Sequence, residues 1–296
     1  MTEITSATNP RVQHLRALQD KSSLRKESGC FVIEGERMVL DAPPESIKEV
    51  YVTKEKLEEL KDHFGQDSGR SKNRLEQEPS VTILSSKAME KASATRTPQG
   101  ILAVAALPQW VWSDVVRDSR EHFLLLLENI QDPGNLGTMF RTAEAAGVDG
   151  IILSSGSVDV FNPKTVRATM SSLFRVPFVI VPDMPETIQR LRNVHQICVH
   201  AACPEQGSVR YDTVDGTKSS AFLVGNEAKG LTKESILASD DMVYIPMEGE
   251  IESLNAAMSA GILLFEAERQ RGFQRENNRQ ANDKQLVNNG KGGGKE

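Results

Sequence analysis

Two polar residues, Asn135 and Arg141, stand in a segment whose pattern is typical of a ligand-binding edge. The apolar run Phe123–Leu127 predicts a buried strand, a Pro-Gly turn follows, and a helix is expected to begin near Asn135. Both side chains would then lie at the carboxyl edge of a sheet, where open α/β folds bind their ligands. An ordinary strand–helix unit, with Asn135 as N-cap and Arg141 as a surface charge, explains the pattern equally well.

A carboxylate, Glu227, lies between two glycines at the end of another apolar run, in the segment FLVGNEAKGL at 222–231. Glycine after a strand allows the backbone to approach a ligand closely or to adopt a positive φ. The glycine spacing matches neither the Walker A loop nor the dinucleotide-binding fingerprint. The segment alone therefore indicates a turn and no particular ligand.

A third polar pair, Ser253 and Asn255, follows a strand that Pro246 stops and a loop that contains Gly249. The last helix is expected to begin at Ser253, whose hydroxyl is a natural N-cap, and capping accounts for that residue on its own. Asn255 has a low helix propensity, which favours a functional use in the first turn of this helix.

Alternating elements position these three segments. Short apolar strands and helices alternate after residue 122, which predicts an α/β fold with a mostly parallel sheet covered on both faces. Strands are expected at 123–127, 150–153, 178–181, 196–201, 222–224 and 243–245, and helices at 137–146, 185–193 and 253–271. Earlier in the chain, a helix at 9–26 and strands at 30–33, 49–53, 80–84 and 101–105 predict a small α/β module.

A proline directly after the strand at 101–105 marks a domain boundary. We expect a first domain at 1–106 and a second at 107–272. The polar residues 273–296 have almost nothing to bury and predict a disordered tail. The glycine-bearing polar stretch at 65–80 predicts a mobile loop.

The composition excludes several classes of protein. Among 296 residues, 39% are hydrophobic and 26% are charged, which excludes a disordered or collagen-like chain. Three cysteines without a CxxC pair exclude a disulfide scaffold, and the five histidines show no metal-binding spacing. The longest apolar run is far shorter than the roughly 20 residues that cross a bilayer. We expect a soluble cytoplasmic protein with no metal and no membrane partner.

The net charge of −6 argues against a nucleic-acid partner, because polyanions are held chiefly by Lys and Arg. The first 105 residues carry 16 basic and 16 acidic side chains, so the excess of acid lies in the remainder. Any binding of RNA must therefore use local basic patches.

In this order, the three segments resemble the signature motifs of the SpoU (also called TrmH) family of SPOUT RNA methyltransferases. The resemblance covers about 124–271, and the segment at 161–178, with its Asn-Pro-Lys and Arg-Ala pairs, is similar to another stretch of the family. The first domain, with Asn-Pro-Arg at 9–11, FVIEGER at 31–37 and RTPQGI at 96–101, is similar to the family's N-terminal RNA-binding module, which has a ribosomal-protein-like fold.

The resemblance implies an enzyme that transfers the methyl group of S-adenosylmethionine to a ribose 2′-hydroxyl, in ribosomal RNA more than in transfer RNA. It also implies a SPOUT domain with a deep trefoil knot that forms the cofactor pocket, an exception to the general absence of knots. Most family members are homodimers. The alternatives are a catalytically silent RNA-binding protein of the same fold and a nucleotide-dependent oxidoreductase, which would need a glycine fingerprint.

The resemblance assigns roles to individual residues. Arg141 would clamp the phosphate beside the ribose or help to deprotonate the hydroxyl, and the strong basicity of guanidinium groups favours the clamp. The residues expected to orient Arg141, the ribose and the cofactor are Asn135, Glu227, Ser253 and Asn255. The expected cofactor-binding residues are Ala201, Leu223, Val224, Gly225, Ile245, Met247, Ser253 and Leu254. From their charge rather than from the resemblance, the expected RNA contacts are Arg11, Arg37, Lys164, Arg167 and Arg175, in a basic strip with Arg16, Arg25 and Lys26. A solvated charged surface explains each of these residues equally well.

Three positions depart from the family pattern. Ser171 stands where the family often has glycine, and Ala256 and Ala257 stand where Val and Ser are common. None of the three is assigned to chemistry, so these departures bear on packing and subfamily.

Overall fold

The computed structural model describes residues 2–60, 80–117, 121–249 and 253–272. The expected mobile loop, apart from Ser80, and the expected disordered tail lie outside the described residues. The chain divides into two compact units. The first unit combines the chain up to Gln109 with Asp132–Arg141 and Val158–Arg175, and the second comprises the remaining residues. The domain boundary at 106 stays a prediction, because two segments of the expected second domain group with the first unit.

The described helices are numbered α1 to α11 in chain order. They are Pro10–Asp20, Ser22–Ser28, Glu36–Asp41, Lys54–Glu59, Ser86–Ala92, Trp112–Val115, Pro133–Ala145, Pro163–Thr169, Met184–Asn193, Lys233–Ala238 and residues 256–272. Single 3-10 turns are formed by Pro44–Ser46, Ser172–Phe174 and Tyr211–Thr213.

The first unit contains a mixed five-stranded sheet with strand order β1-β4-β3-β5-β2. Its strands are β1 (Thr2–Ile4), β2 (Cys30–Glu34), β3 (Ile47–Val52), β4 (Ser80–Leu84) and β5 (Ile101–Ala106). Strands β1, β4 and β3 run parallel, whereas β5 pairs antiparallel with both β3 and β2. Four of these strands agree with the sequence prediction to within two residues, and the short β1 was not predicted.

The helix expected at 9–26 is broken at Lys21, whose φ of −117° and ψ of 109° are those of extended backbone. The break lets Arg25 of α2 donate to two carbonyl oxygens in the last turn of α1, at 2.6 and 2.8 Å. Arg25 is buried and also forms an ion pair with Asp159. The expectation that Arg25 belongs to an RNA-binding strip is therefore wrong, because its guanidinium is occupied inside the first unit.

Two close packings hold the segments 132–141 and 158–175 in the first unit. The ring of Phe31 in β2 lies 5.0 Å from that of Phe161 and 5.8 Å from that of Phe174. A Cβ atom on Gly137 of α7 would lie 2.4 Å from the Cβ of Ala168 in α8. The glycine is therefore required for the close approach of these two helices.

The second unit contains a seven-stranded sheet with strand order β10-β12-β9-β11-β6-β7-β8, in which every neighbouring pair is parallel. Its strands are β6 (Phe123–Leu127), β7 (Gly150–Ser154), β8 (Phe178–Val181), β9 (Cys198–Ala202), β10 (Val209–Arg210), β11 (Ser220–Val224) and β12 (Asp241–Tyr244). The prediction of an α/β fold with a mostly parallel sheet is confirmed. Strands β6, β7 and β11 are buried throughout, as expected for a parallel sheet covered on both faces.

Helix α11 is fixed to the sheet of the second unit at its last turn. The guanidinium of Arg271 donates to the carbonyl oxygens of Gly216, His122 and Lys218 at 2.6 to 2.9 Å. It also lies 4.6 Å above the ring of Phe123. None of the helices in the described part of the chain has both the length and the apolar character needed to cross a membrane.

Candidate functional site

A cavity of about 360 Å³ opens in the second unit where β9, β11 and β12 end. These three strands are neighbours in a parallel sheet, so their carboxyl ends meet at one edge. The loops that follow the strands, together with the residues before α11, form the wall of the cavity. Such an edge is where open α/β sheets bind ligands.

Seven residues with a predicted cofactor or catalytic role line this cavity: Val224, Gly225, Glu227, Ile245, Met247, Ser253 and Leu254. Ala201 and Leu223 are not among the lining residues, because their side chains are fully buried in the apolar core. Side chains alternate along a strand, and the next residue in each case, Ala202 or Val224, faces the cavity. Ala256, one of the departures from the family pattern, also lines the cavity.

The loop at 225–230 is a tight turn that needs glycine at both ends. A Cβ on Gly225 would lie 2.6 Å from the carbonyl carbon of Gly230, and Gly230 itself has a φ of +68°. Inside the turn, the side-chain oxygen of Asn226 accepts hydrogen bonds from the backbone N–H groups of Ala228 and Lys229, each at 2.9 Å. Asn226 received no role from the sequence, although an Asn next to a turn glycine is a known signal for this geometry.

The same loop is hydrogen-bonded to the segment after β6. The amide of Asn226 donates to the backbone oxygen of Asn129 at 2.8 Å. The backbone N–H of Gln131 donates to a carboxylate oxygen of Glu227 at 3.1 Å. Glu227 therefore holds the first signature segment beside the second, a role that the sequence did not predict.

Helix α7 begins earlier than expected. Its first residue is Pro133, and the carboxylate of Asp132 accepts from the backbone N–H of Asn135 at 2.8 Å. This hydrogen bond, with the ion pair to Lys164 as a smaller contribution, lowers the pKa of Asp132. Asn135 is consequently a half-buried residue of the first turn and not the N-cap, and Arg141 lies exposed two turns further along the helix.

Helix α11 begins later than expected, at residue 256. The N-cap is Asn255, whose side-chain oxygen accepts from the backbone N–H groups of Ala257 and Met258 at 2.9 and 3.2 Å. The expectation that Ser253 starts and caps this helix is wrong, because the carboxamide of Asn255 satisfies the first amides instead. Ser253 lies two residues before the cap and lines the cavity.

The five residues predicted to contact RNA all belong to the first unit. Four are exposed, namely Arg11, Arg37, Lys164 and Arg175. Arg167 is half-buried, and its Nη1 atom has no hydrogen-bond partner among the described residues. Four of the five have a polar contact within the unit: Arg11 with Thr82, Arg37 with Asp41, Lys164 with Asp132 and Arg175 with the carbonyl oxygen of Met170.

One histidine of the second unit lies among possible metal ligands, which the sequence spacing did not show. The ligand atoms of Cys198, His200 and Asp241 lie within 4.8 Å of one another. The Nδ1 of His200 is 2.8 Å from a carboxylate oxygen of Asp241, whereas two ligands of one zinc ion stand about 3.3 Å apart. We therefore describe this contact as a buried ion pair.

The charge on this histidine follows from its neighbours. Burial disfavours the imidazolium, but hydrogen bonds and charges from Asp241 and Cys198 outweigh burial and raise the pKa of His200 to about 9. His200 also lies against the ring of Phe222, at 5.2 Å between centroids.

Known proteins resemble both parts of the chain. Residues 122–265 match the SpoU rRNA methylase family, and residues 9–103 match the MRM3-like substrate binding domain. A Bacillus subtilis (strain 168) protein named 23S rRNA (guanosine(2553)-2′-O)-methyltransferase RlmP is 34% identical over 267 residues, which cover 90% of this chain and 98% of that protein.

Solved structures give the same result. The AdoMet-bound rRNA methyltransferase from Sinorhizobium meliloti has a TM-score of 0.75 and 32% identity, covering 90% of this chain and 97% of that one. The SpoU methyltransferase AviRb from Streptomyces viridochromogenes, in complex with AdoMet, has a TM-score of 0.75 and 27% identity, covering 89% and 98% of the two chains. This chain therefore belongs to the SpoU rRNA methylase family.

Proposed function

We propose that the protein transfers the methyl group of S-adenosylmethionine to a ribose 2′-hydroxyl of ribosomal RNA. The observation that carries this proposal is the convergence of the second and third signature segments on one cavity. Relatives of the same layout are named as 23S rRNA 2′-O-methyltransferases, and a neighbouring structure is described as AdoMet-bound. A chain that binds RNA without transferring a methyl group is the alternative.

The cavity fits the cofactor in size and chemistry. Its volume of about 360 Å³ lies in the range of small-molecule sites, roughly 300 to 1,000 Å³. Val224, Ile245 and Leu254 offer apolar walls for an adenine ring. Ser253 and Glu227 supply polar groups at the same cavity.

The chemistry divides between the cofactor and the protein. When bound, S-adenosylmethionine supplies a methyl group that its sulfonium already activates, so the protein must supply positioning and charge. The guanidinium of Arg141 holds the phosphate beside the reacting ribose, where its charge also favours the developing alkoxide. Asn135, Ser253 and Asn255 orient the ribose and the cofactor, and Glu227 keeps the two signature segments together.

The RNA is bound by basic residues of the first unit. Arg11, Arg37, Lys164 and Arg175 are exposed, whereas Arg167 is half-buried. Contacts of this kind go chiefly to phosphates and fix the position of the RNA without reading its sequence.

The active form is a homodimer whose cofactor pocket is a trefoil knot. Membership of the family supports both features. Two large apolar side chains of α11, Met258 and Phe265, are also 62% and 50% exposed and lie seven residues apart on one face of the helix, which suits contact with a second copy. The molar mass in solution, measured by light scattering, tests the dimer.

The cytoplasm, as a site of ribosomal RNA, is the compartment that this substrate implies.

Methyl transfer to RNA from cells that lack the protein tests the function. Purified protein is incubated with this RNA and with S-adenosylmethionine that carries a labelled methyl group, and the RNA is digested to nucleosides. Label on ribose is expected. Label on a base would contradict the reaction class, and binding of RNA with no transfer would favour the silent RNA-binding protein.

A further inference from the structure

Glu128, the residue directly after β6, is a buried carboxylate that received no role above. It is 3% exposed and accepts three hydrogen bonds from the start of α10. The donors are the backbone N–H of Thr232 at 2.8 Å, the hydroxyl of Thr232 at 2.9 Å and the hydroxyl of Ser235 at 2.5 Å. Hydrogen bonds to a carboxylate are about twice as strong as those between neutral groups, so this contact is a firm one.

The backbone of the same residue holds the other end of the loop at 225–231. The N–H of Glu128 donates to the carbonyl oxygen of Val224, the last residue of β11, at 2.9 Å. The loop therefore leaves Val224 and returns at Thr232 with both of its ends bonded to Glu128. Six consecutive residues of this loop, 225–230, line the cavity.

We propose that Glu128 is a positioning residue that sets the shape of the cofactor cavity by holding Val224 and Thr232 at a fixed separation. It acts through Thr232 and Ser235, since Glu128 is not among the residues that line the cavity. The ligand class, S-adenosylmethionine or its demethylated product, rests on the proposed function. The hydrogen bonds themselves do not.

Replacing Glu128 by alanine removes both carboxylate oxygens and with them all three hydrogen bonds. The hydroxyl of Ser235, in a fully buried residue, and the backbone N–H of Thr232 would then lose their partner. Glutamine retains most of the contact, because its oxygen accepts from the N–H of Thr232 while its amide donates to the two hydroxyls. Alanine is therefore expected to release the loop and glutamine to keep it in place.

Calorimetric titration with S-adenosylhomocysteine, at a temperature where circular dichroism shows every variant folded, measures the effect. Glu128→Ala should weaken binding by about tenfold and Glu128→Gln by no more than about threefold. The matched control is Asp240→Asn, which lies beyond the other end of α10 and whose carboxylate accepts from the backbone of Val199 and from Arg192. The control should lower the melting temperature and leave the affinity unchanged.

A folded Glu128→Ala protein with wild-type affinity would overturn the proposal. If that variant does not fold, Ser235→Ala removes one donor of the three, and an affinity equal to that of the wild type would overturn the proposal in its place. Hydrogen exchange of the ligand-free protein gives a readout that is independent of the cofactor. Glu128→Ala should speed exchange at 225–231 and leave α11 unchanged.

The two readouts separate this proposal from the proposed function. If the wild-type protein binds neither S-adenosylmethionine nor its product, the proposed function fails, while faster exchange at 225–231 still supports the role of Glu128. Unchanged exchange in the loop would overturn that role whatever the protein binds.

Discussion

The polar residues of the signature segments are of two kinds: some bond to the protein's own backbone, and Arg141 is exposed. Asp132, Asn226 and Asn255 each accept hydrogen bonds from backbone N–H groups and so fix the chain. Arg141 is exposed on α7, where its charge can reach a ligand. Replacing a residue that bonds to the backbone should therefore change the stability of the fold, whereas replacing Arg141 should change the rate of methyl transfer.

Arg141→Ala is expected to reduce methyl transfer by at least about 100-fold, the usual effect of removing one group that stabilises developing charge. Affinity for S-adenosylmethionine should change by less than about threefold, because the cavity is formed by residues of the second unit. Initial rates on RNA and calorimetry check the two values. The control is Thr138→Ala, at an exposed position one turn earlier in α7, which should behave as the wild type. Equal activity of both variants would contradict the role given to Arg141.

The ion pair of His200 and Asp241 should make stability depend on pH. The pKa of His200 is raised from 6.5 to about 9, so the folded state holds the proton more tightly than the unfolded state does. This contribution, up to about 3 kcal/mol, is fully present below pH 6.5 and disappears as the pH rises through 9. Urea unfolding at about pH 6.5 and about pH 9.5 measures it. Asp241→Asn should be less stable than the wild type at the lower pH and nearly equal to it at the higher one.

At the scale of elements, the turn between α8 and the following 3-10 turn is strained. Met170 and Ser171 have positive φ values of 49° and 71°, in the region that glycine adopts most readily. The preference of the family for glycine where Ser171 stands now has a physical reason. The departure from the family pattern at Ser171 therefore falls on a residue with a positive φ.

Ser171→Gly is expected to stabilise the protein by about 0.5 to 1 kcal/mol, because glycine adopts a positive φ without the penalty of a Cβ. The hydroxyl that this substitution removes makes only long hydrogen bonds, of 3.5 Å, to Asp41 and Met38. Denaturant unfolding measures the change. Ser172→Gly, at the next position and within the 3-10 turn, should destabilise instead, and the same sign for both variants would contradict the explanation.

Asn255 combines a helix cap with a predicted catalytic role, and two substitutions separate them. Asn255→Ala should lower the free energy of unfolding by about 1 kcal/mol, because two amides of α11 lose their acceptor. Asn255→Ser retains a capping oxygen and should restore stability. If Asn255→Ser also restores methyl transfer, the residue acts only as a cap, and if activity stays low, its carboxamide contacts a ligand.

Strands were easier to predict than helix ends. The apolar runs that give β6 and β8 leave no alternative, so both agree with the prediction at each residue. At α7 and α11, by contrast, several polar residues near the helix start can cap, and the choice depends on where the loop leaves the sheet. Arg25 was misplaced for a similar reason, because its partner Asp159 is 134 positions away.

At the scale of the whole molecule, the predicted RNA contacts belong to one unit although they come from distant parts of the chain. The net charge is −6, yet the exposed residues predicted to contact RNA all lie in the first unit. The signature segments were recognisable from the sequence because each joins a strand to a turn of fixed composition. The hydrogen bonds between these segments, such as that from Gln131 to Glu227, could be identified only from the structure, because the sequence does not show which loop amide contacts which carboxylate.

Replacing these basic residues by alanine should weaken the binding of ribosomal RNA by a similar factor whatever the sequence of the RNA. In the double variant Lys164→Ala, Arg175→Ala, affinity should fall, and the slope of log affinity against log salt should decrease by about one for each phosphate that is no longer neutralised. Filter binding over a range of salt concentrations measures both. Lys218→Ala, an exposed lysine of the second unit, is the control. An unchanged salt slope in the double variant would contradict the assignment.

The anchor at Arg271 governs where the protein can be shortened. Helix α11 has 17 residues and is therefore about 25 Å long. Ser253 and Leu254 directly precede its N-terminal end, and Arg271 lies at its C-terminal end. Cutting the chain before residue 271 would remove the hydrogen bonds that the guanidinium of Arg271 donates, whereas Gln270 would keep its bonds to Val214 and Gly216. Truncated proteins that end at residue 272 keep the hydrogen bonds of Arg271, whereas those that end at residue 270 lose them.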